Sequence, residues 1–241
     1  MIFRKAVLFI HGFSATYYEN EYCINTLQKY PELDVYTFTM PGHETPIMRK
    51  VPYQSWIEKS EEVLLDLFKD YKTIYLLGHS MGGVIASYLA SKYPKKVKKL
   101  VLVAPAFEYG SFEQNKDDIK KFFERENIKG LVGYDSFFAK IISVPIKQLL
   151  EFTKLVKEYK IYIEKVSCPT LILHGNIDNI VPFSSSVYAY DSLQKNRKYL
   201  TILRDVRHQV FITNKKEEIT KYIYKFLKWD HLFEKMKKDI I

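Results

Sequence analysis

Five consecutive residues, Gly78-His79-Ser80-Met81-Gly82, carry the pattern G-x-S-x-G. A serine hydroxyl is a weak nucleophile and attacks a carbonyl only when a base takes its proton. The pattern suits a serine on a sharp turn between a strand and a helix, with strained backbone and a hydroxyl projecting into a cleft. Strand and helix approach closely there, so the flanking positions must be small, as Gly78 and Gly82 are. The base is expected to be a histidine near the C-terminus, with the orienting acid between the two, and His208 and Asp178 fit that order. Asp178 would hold the His208 ring in the right tautomer and stabilise the imidazolium formed when it takes the proton. Charge developing on a carbonyl oxygen needs two N–H donors. Met81, at the helix N-terminus, offers one backbone N–H. The other is expected from His11-Gly12-Phe13, the loop after the first strand, where Gly12 lets the chain fold towards the serine and Phe13 supplies the N–H.

Other ionisable side chains fit these roles less well. Asp205 lies three residues before His208, poor geometry for bracing that ring, and reads as a turn residue. His79 adjoins Ser80, and side chains next to the serine on such a turn point away from it. His43 and His174 read as loop hydrogen-bonders, and His231 as an exposed residue of the last helix.

These groups must be carried by elements that bring them to one place. Short apolar runs at residues 6–10, 35–38, 73–77, 100–103, 170–173 and 200–203 read as buried strands of a parallel sheet. Helical patterns separate them: Val84, Ile85, Tyr88 and Leu89, closed by Pro94; and Ile219, Tyr222, Ile223, Phe226 and Leu227. The last of these extends through Trp229, Leu232, Phe233 and Met236 and is expected to pack on the body of the domain rather than on a membrane surface. Ser80, Asp178 and His208 each follow a strand. The interval 106–166 breaks the rhythm: it holds a helical repeat at Ile146, Leu149, Leu150, Thr153 and Val156, and the aromatics Phe107, Phe112, Phe122, Phe123, Phe137 and Phe138. An insertion at the C-terminal end of a strand sits where open α/β sheets bind ligands, so 106–166 reads as a helical cap on a core of residues 1–105 and 167–241.

These residues resemble the α/β-hydrolase superfamily, and within it the small bacterial carboxylesterases and monoacylglycerol-lipase-like serine hydrolases. The resemblance rests on His11-Gly12-Phe13, Pro41-Gly42-His43-Glu44, the turn from Gly78 to Gly83, His174-Gly175 with Asp178 and Val181-Pro182, and His208 before a terminal helix. It implies an α/β-hydrolase fold: a mostly parallel sheet of about six strands flanked by helices, with a helical cap. It also implies a Ser80-Asp178-His208 triad, an oxyanion hole at Phe13 and Met81, and hydrolysis of short- to medium-chain acyl esters or monoacylglycerols through an acyl-enzyme. A thioesterase, C–C bond hydrolase or acyltransferase would use the same triad, and a non-catalytic ligand-binding protein is the remaining alternative. A dehalogenase or epoxide hydrolase is disfavoured, because those need a carboxylate where Ser80 stands. Arg207 occupies a position before the histidine where relatives often carry glycine, and the N-terminal hairpin of many relatives is expected to be absent or rudimentary.

Composition narrows the partners. The 241 residues suffice for one domain with a sizeable core. Lys and Arg outnumber Asp and Glu by 37 to 28, but the cations are spread along the chain and mixed with glutamates, as on solvated helix faces, so no nucleic-acid partner is expected. Neither C-x-x-C nor H-E-x-x-H occurs, so neither a metal nor another cofactor is expected. Cys23 and Cys168 read as free thiols in a reducing compartment. With no signal peptide and no bilayer-length apolar run, the expected setting is cytoplasmic, with no stable membrane insertion and a small-molecule acyl ester as substrate.

Overall fold

Strands that are apolar at every position need cover on both faces. The computed structural model, which describes residues 4–15, 17–45, 48–108, 145–194 and 197–228, provides it. The six runs fall on β1 (Lys5–Ile10), β2 (Leu33–Thr37), β3 (Ile74–His79), β4 (Val97–Val103), β5 (Thr170–Gly175) and β6 (Lys198–Leu203). They form one sheet in the order β2-β1-β3-β4-β5-β6, with every neighbouring pair parallel. Strand β4 begins three residues before its apolar run. Lys98 and Lys99 hide that start in the sequence, yet Lys99 is buried, its Nζ donating to the Phe226 and Leu227 carbonyls at 2.8 and 3.0 Å.

Successive side chains on a strand point to opposite faces, and the core divides accordingly. Ala6, Leu8, Ile10, Leu76 and Leu102 pack beneath α2 (Gln54–Asp70), α3 (Met81–Lys92) and α5 (Phe183–Ser192), and the apolar side of α4 (Ile146–Tyr159) joins the same core. Val7, Phe9, Leu77, Val101 and Val103 pack beneath α1 (Glu21–Leu27) and α6 (Lys216–Lys228). Helix α6 buries Ile219, Tyr222, Ile223, Phe226 and Leu227, the residues of the predicted stripe. Its expected continuation, with Trp229, His231, Leu232, Phe233 and Met236, lies outside the described residues.

Of the interval 106–166, residues 109–144 also lie outside the described residues, and with them Phe112, Phe122, Phe123, Phe137 and Phe138. The helical repeat from Ile146 to Val156 falls on α4, which buries Leu149, Phe152, Leu155 and Val156 and packs against α3. Among the described residues, no helix is long and apolar enough to cross a membrane.

Candidate active site

The chain leaves β1 for the edge strand β2 and returns to β3 on the other flank of β1. Strand order therefore reverses between β1 and β3, and open α/β sheets bind ligands in the crevice beyond the carboxyl ends of the strands at such a point. Gly12 and Phe13 leave β1 there, and Ser80 leaves β3.

Ser80 has φ 55° and ψ −120° and starts α3. A side-chain-bearing residue in this region costs on the order of 1–3 kcal/mol and persists only where its surroundings enforce it. Here the Ser80 N–H donates to the Val103 carbonyl at 2.9 Å, while the Ser80 carbonyl accepts from Gly83 N–H at 2.9 Å and Ala106 N–H at 3.2 Å. The glycines provide the room: a Cβ on Gly78 would collide with the Gly82 carbonyl, and one on Gly82 with the Ile10 carbonyl. A Cβ on Gly12 would lie 3.1 Å from the Ser80 Cβ and 3.6 Å from its Oγ, so the loop after β1 passes directly against the serine. Helix α3 begins at Met81, and the first N–H groups of a helix have no acceptor within it.

Asp178 follows β5 and His208 follows β6, and the fold joins them: His208 Nδ1–H donates to Asp178 Oδ2 at 2.8 Å, with both side chains buried. The other carboxylate oxygen accepts the N–H groups of Ile180 and Val181 at 2.9 and 3.0 Å. Burial opposes ionisation of Asp178, but the His208 hydrogen bond and charge, with those two amides, hold its carboxyl below the usual range. With Nδ1–H donating to Asp178, Nε2 is the ring nitrogen that can accept a proton.

Four more imidazoles lie near these groups. His174, at the end of β5, donates through Nε2 to the Val181 carbonyl at 3.1 Å and accepts from Ser186 Oγ at 2.7 Å, tying α5 to the Asp178 loop. His79 turns under His208: its Nε2–H donates to the His208 carbonyl at 3.0 Å, and the two rings lie 5.1 Å apart at 33°. His11 donates through Nδ1 to the Gly12 carbonyl at 2.8 Å and accepts the Met40 N–H at Nε2, 2.9 Å. His43 accepts the Ser14 N–H at 3.1 Å. Burial pushes His11 and His79 down to about 3 and His43 to about 4. All three are therefore neutral at ordinary pH.

The structure thus brings Asp178 and His208 into contact and sets Gly12 against Ser80. Asp205 is an exposed turn residue at φ 58°, its N–H bonded to Asn176 Oδ1 at 2.6 Å. That left-handed residue makes the turn of this loop, so Arg207 needs no glycine geometry. His11 and His79 have structural parts that the sequence reading did not give them. Both flank motif glycines, but a neighbour in sequence says nothing about which ring lies under His208. Among the described residues, no three His, Cys, Asp or Glu side chains group as a metal site.

Residues 5–125, half of the chain, match the family model for the alpha/beta hydrolase fold, and residues 114–215 match that for serine aminopeptidase, S33. The chain is 30% identical over 169 residues to mouse serine hydrolase BPHL, a match covering 66% of this chain and 57% of that relative's length. It is 24% identical to the thermostable monoacylglycerol lipase of Bacillus sp. strain H-257, over 84% of this chain and 82% of that one. The crystal structure of Paleococcus ferrophilus monoacylglycerol lipase has the same fold, with a TM-score of 0.70 at 19% identity, covering 92% of this chain and 93% of that one. A six-stranded parallel sheet, a strained serine at its reversal point and a family match across that half of the chain place this protein in the α/β-hydrolase fold family.

Proposed function

We propose that the protein hydrolyses carboxylic esters of small molecules, short- to medium-chain acyl esters or monoacylglycerols, through an acyl-enzyme on Ser80. The observation that carries this reading is the 2.8 Å Asp178–His208 hydrogen bond at the same carboxyl-terminal end of the sheet as the strained Ser80. In this reading His208 Nε2 takes the Ser80 proton as Oγ attacks the acyl carbon, and Asp178 stabilises the imidazolium. The proton then passes to the leaving alcohol, and a water activated by His208 releases the acid. Phe13 and Met81 N–H groups receive the oxyanion. The Gly12 carbonyl is engaged by His11 and by the Ala15 N–H, and across a trans peptide the Phe13 N–H points the opposite way, which supports this role.

An apolar acyl group suits the aromatic surroundings of this loop. Phe13 stacks on Phe152 of α4 at 4.9 Å and meets Trp56 edge-on at 5.8 Å. Residues 106–166 act as the cap over the site in this reading, on a core of 1–105 and 167–241. The Bacillus relative named as a monoacylglycerol lipase favours the same substrate class. The cysteines support a cytoplasmic setting: Cys23 is buried, Cys168 half-buried, both are free, and burial pushes both thiols up to about 12.

Wild type and Ser80→Ala should be compared on p-nitrophenyl acetate, butyrate, octanoate and palmitate, with fluorophosphonate labelling alongside. Turnover and labelling in wild type only are expected. Turnover retained in Ser80→Ala, or none in wild type on any ester, would refute the reading.

A further inference from the structure

The loop carrying Phe13 turns at Ser14, whose φ of 58° is a conformation that a non-glycine residue holds only under constraint. The constraint comes from a different part of the chain. Ser14 N–H donates to His43 Nε2 at 3.1 Å, across 29 residues of sequence. His43 is itself fixed from several sides. Its Nδ1–H donates to the Pro41 carbonyl at 3.2 Å, and the Trp56 indole N–H donates to that same carbonyl at 2.9 Å. Its ring meets those of His11, Phe13 and Trp56 edge-on, with centroids 5.3, 6.0 and 5.8 Å away. The turn that aims it inward runs through Gly42, at φ 81°, where a Cβ would approach the Arg49 carbonyl to 2.7 Å. One imidazole, His11, therefore holds the carbonyl of the Gly12–Phe13 peptide, and a second, His43, holds the amide of the residue after Phe13.

We infer that His43 is a positioning residue for the oxyanion loop: by accepting the Ser14 N–H it fixes the Phe13 N–H towards the cleft before substrate arrives. The inference rests on the reading of Phe13 as an oxyanion donor. A donor held in place in advance stabilises the transition state more than the ground state, so slackening it lowers kcat and leaves KM nearly unchanged.

The test is kcat and KM for p-nitrophenyl butyrate in wild type, His43→Phe and His43→Gln, each first checked for folding by circular dichroism and thermal melting. His43→Phe keeps a ring of similar shape and removes the acceptor. His43→Gln keeps an acceptor near the place of Nε2. In His43→Phe, kcat should fall about 10- to 100-fold with KM within about threefold of wild type, and His43→Gln should recover most of the loss. Equal losses in the two variants, a loss carried by KM, or wild-type kcat in His43→Phe overturns the inference. Should His43→Phe not fold, amide hydrogen exchange of wild-type Ser14 decides: slow exchange is expected, and exchange at the free-peptide rate overturns the inference. A wild type that hydrolyses no ester and is unlabelled at Ser80 by fluorophosphonate refutes the hydrolase reading, and the role of His43 falls with it. An active wild type with an indifferent His43→Phe refutes the positioning role alone.

Discussion

Acid should unfold this protein well above the range in which its carboxylates titrate. His11, His79 and His43 are buried and neutral, with pKa values pushed from an ordinary 6.5 to about 3, 3 and 4, chiefly by burial. Repulsion adds to it, from His43 on His11 and from His208 on His79. Protonation would also destroy the acceptors that hold the Met40 and Ser14 amides. Because the folded values lie below the unfolded one, the unfolded chain binds more protons in between. Stability present above pH 6.5 is therefore lost as pH falls through that window. The loss is about 1.4 kcal/mol per histidine per pH unit, hence about 2 kcal/mol each and about 6 kcal/mol together by pH 5. That is comparable with the whole stability of an ordinary domain, about 5–15 kcal/mol. His174, also lowered by burial, acts in the same direction. The ordinary carboxylate values of 3.8 and 4.5 lie below the window, so the imidazoles dominate it. Urea unfolding followed by circular dichroism at pH 7.5, 6.5, 5.5 and 5.0 measures the slope directly. His43→Gln removes one titrating ring and should lower the slope by about 1.4 kcal/mol per pH unit. A stability that is flat from pH 6.5 to 5, or a slope unchanged in His43→Gln, would refute the linkage.

Three further outcomes are expected. Asp178→Asn should keep the fold but lower kcat by about 10³-fold or more, because the amide no longer enforces the Nδ1–H tautomer of His208; ester turnover near the wild-type rate would exclude that role. Ser80→Gly should be inactive yet more stable by about 1 kcal/mol, since glycine accepts φ 55° without strain; urea midpoints below wild type would contradict this. Lys99→Met should cost about 2 kcal/mol and speed hydrogen exchange in the last turn of α6, because the Phe226 and Leu227 carbonyls lose a buried charged donor; unchanged exchange there would show that the lysine does not hold the helix end.

Much of the fold was legible because its signals are local. Six apolar runs needed only that both faces of a parallel sheet be covered, and the G-x-S-x-G turn advertised its own strand, serine and helix. Ser80, Asp178 and His208 likewise each trail a strand, which is legible once the six runs are placed. Lys98 and Lys99 misled locally: charge near the start of β4 reads as a strand's end until the carbonyls that bond Lys99 are known. Pairings across the sheet were invisible for a different reason. The Ser14–His43 hydrogen bond spans 29 residues, and the His79–His208 contact spans 129. No periodicity or motif encodes which imidazole meets which amide, because that depends on how neighbouring strand ends are staggered and which loops fold back over them. The sequence by itself thus determined the setting of Ser80 and the strands that carry Asp178 and His208. Only the tertiary structure decided how four buried histidines brace the candidate site, because their burial and bonding partners come from segments far apart in the chain.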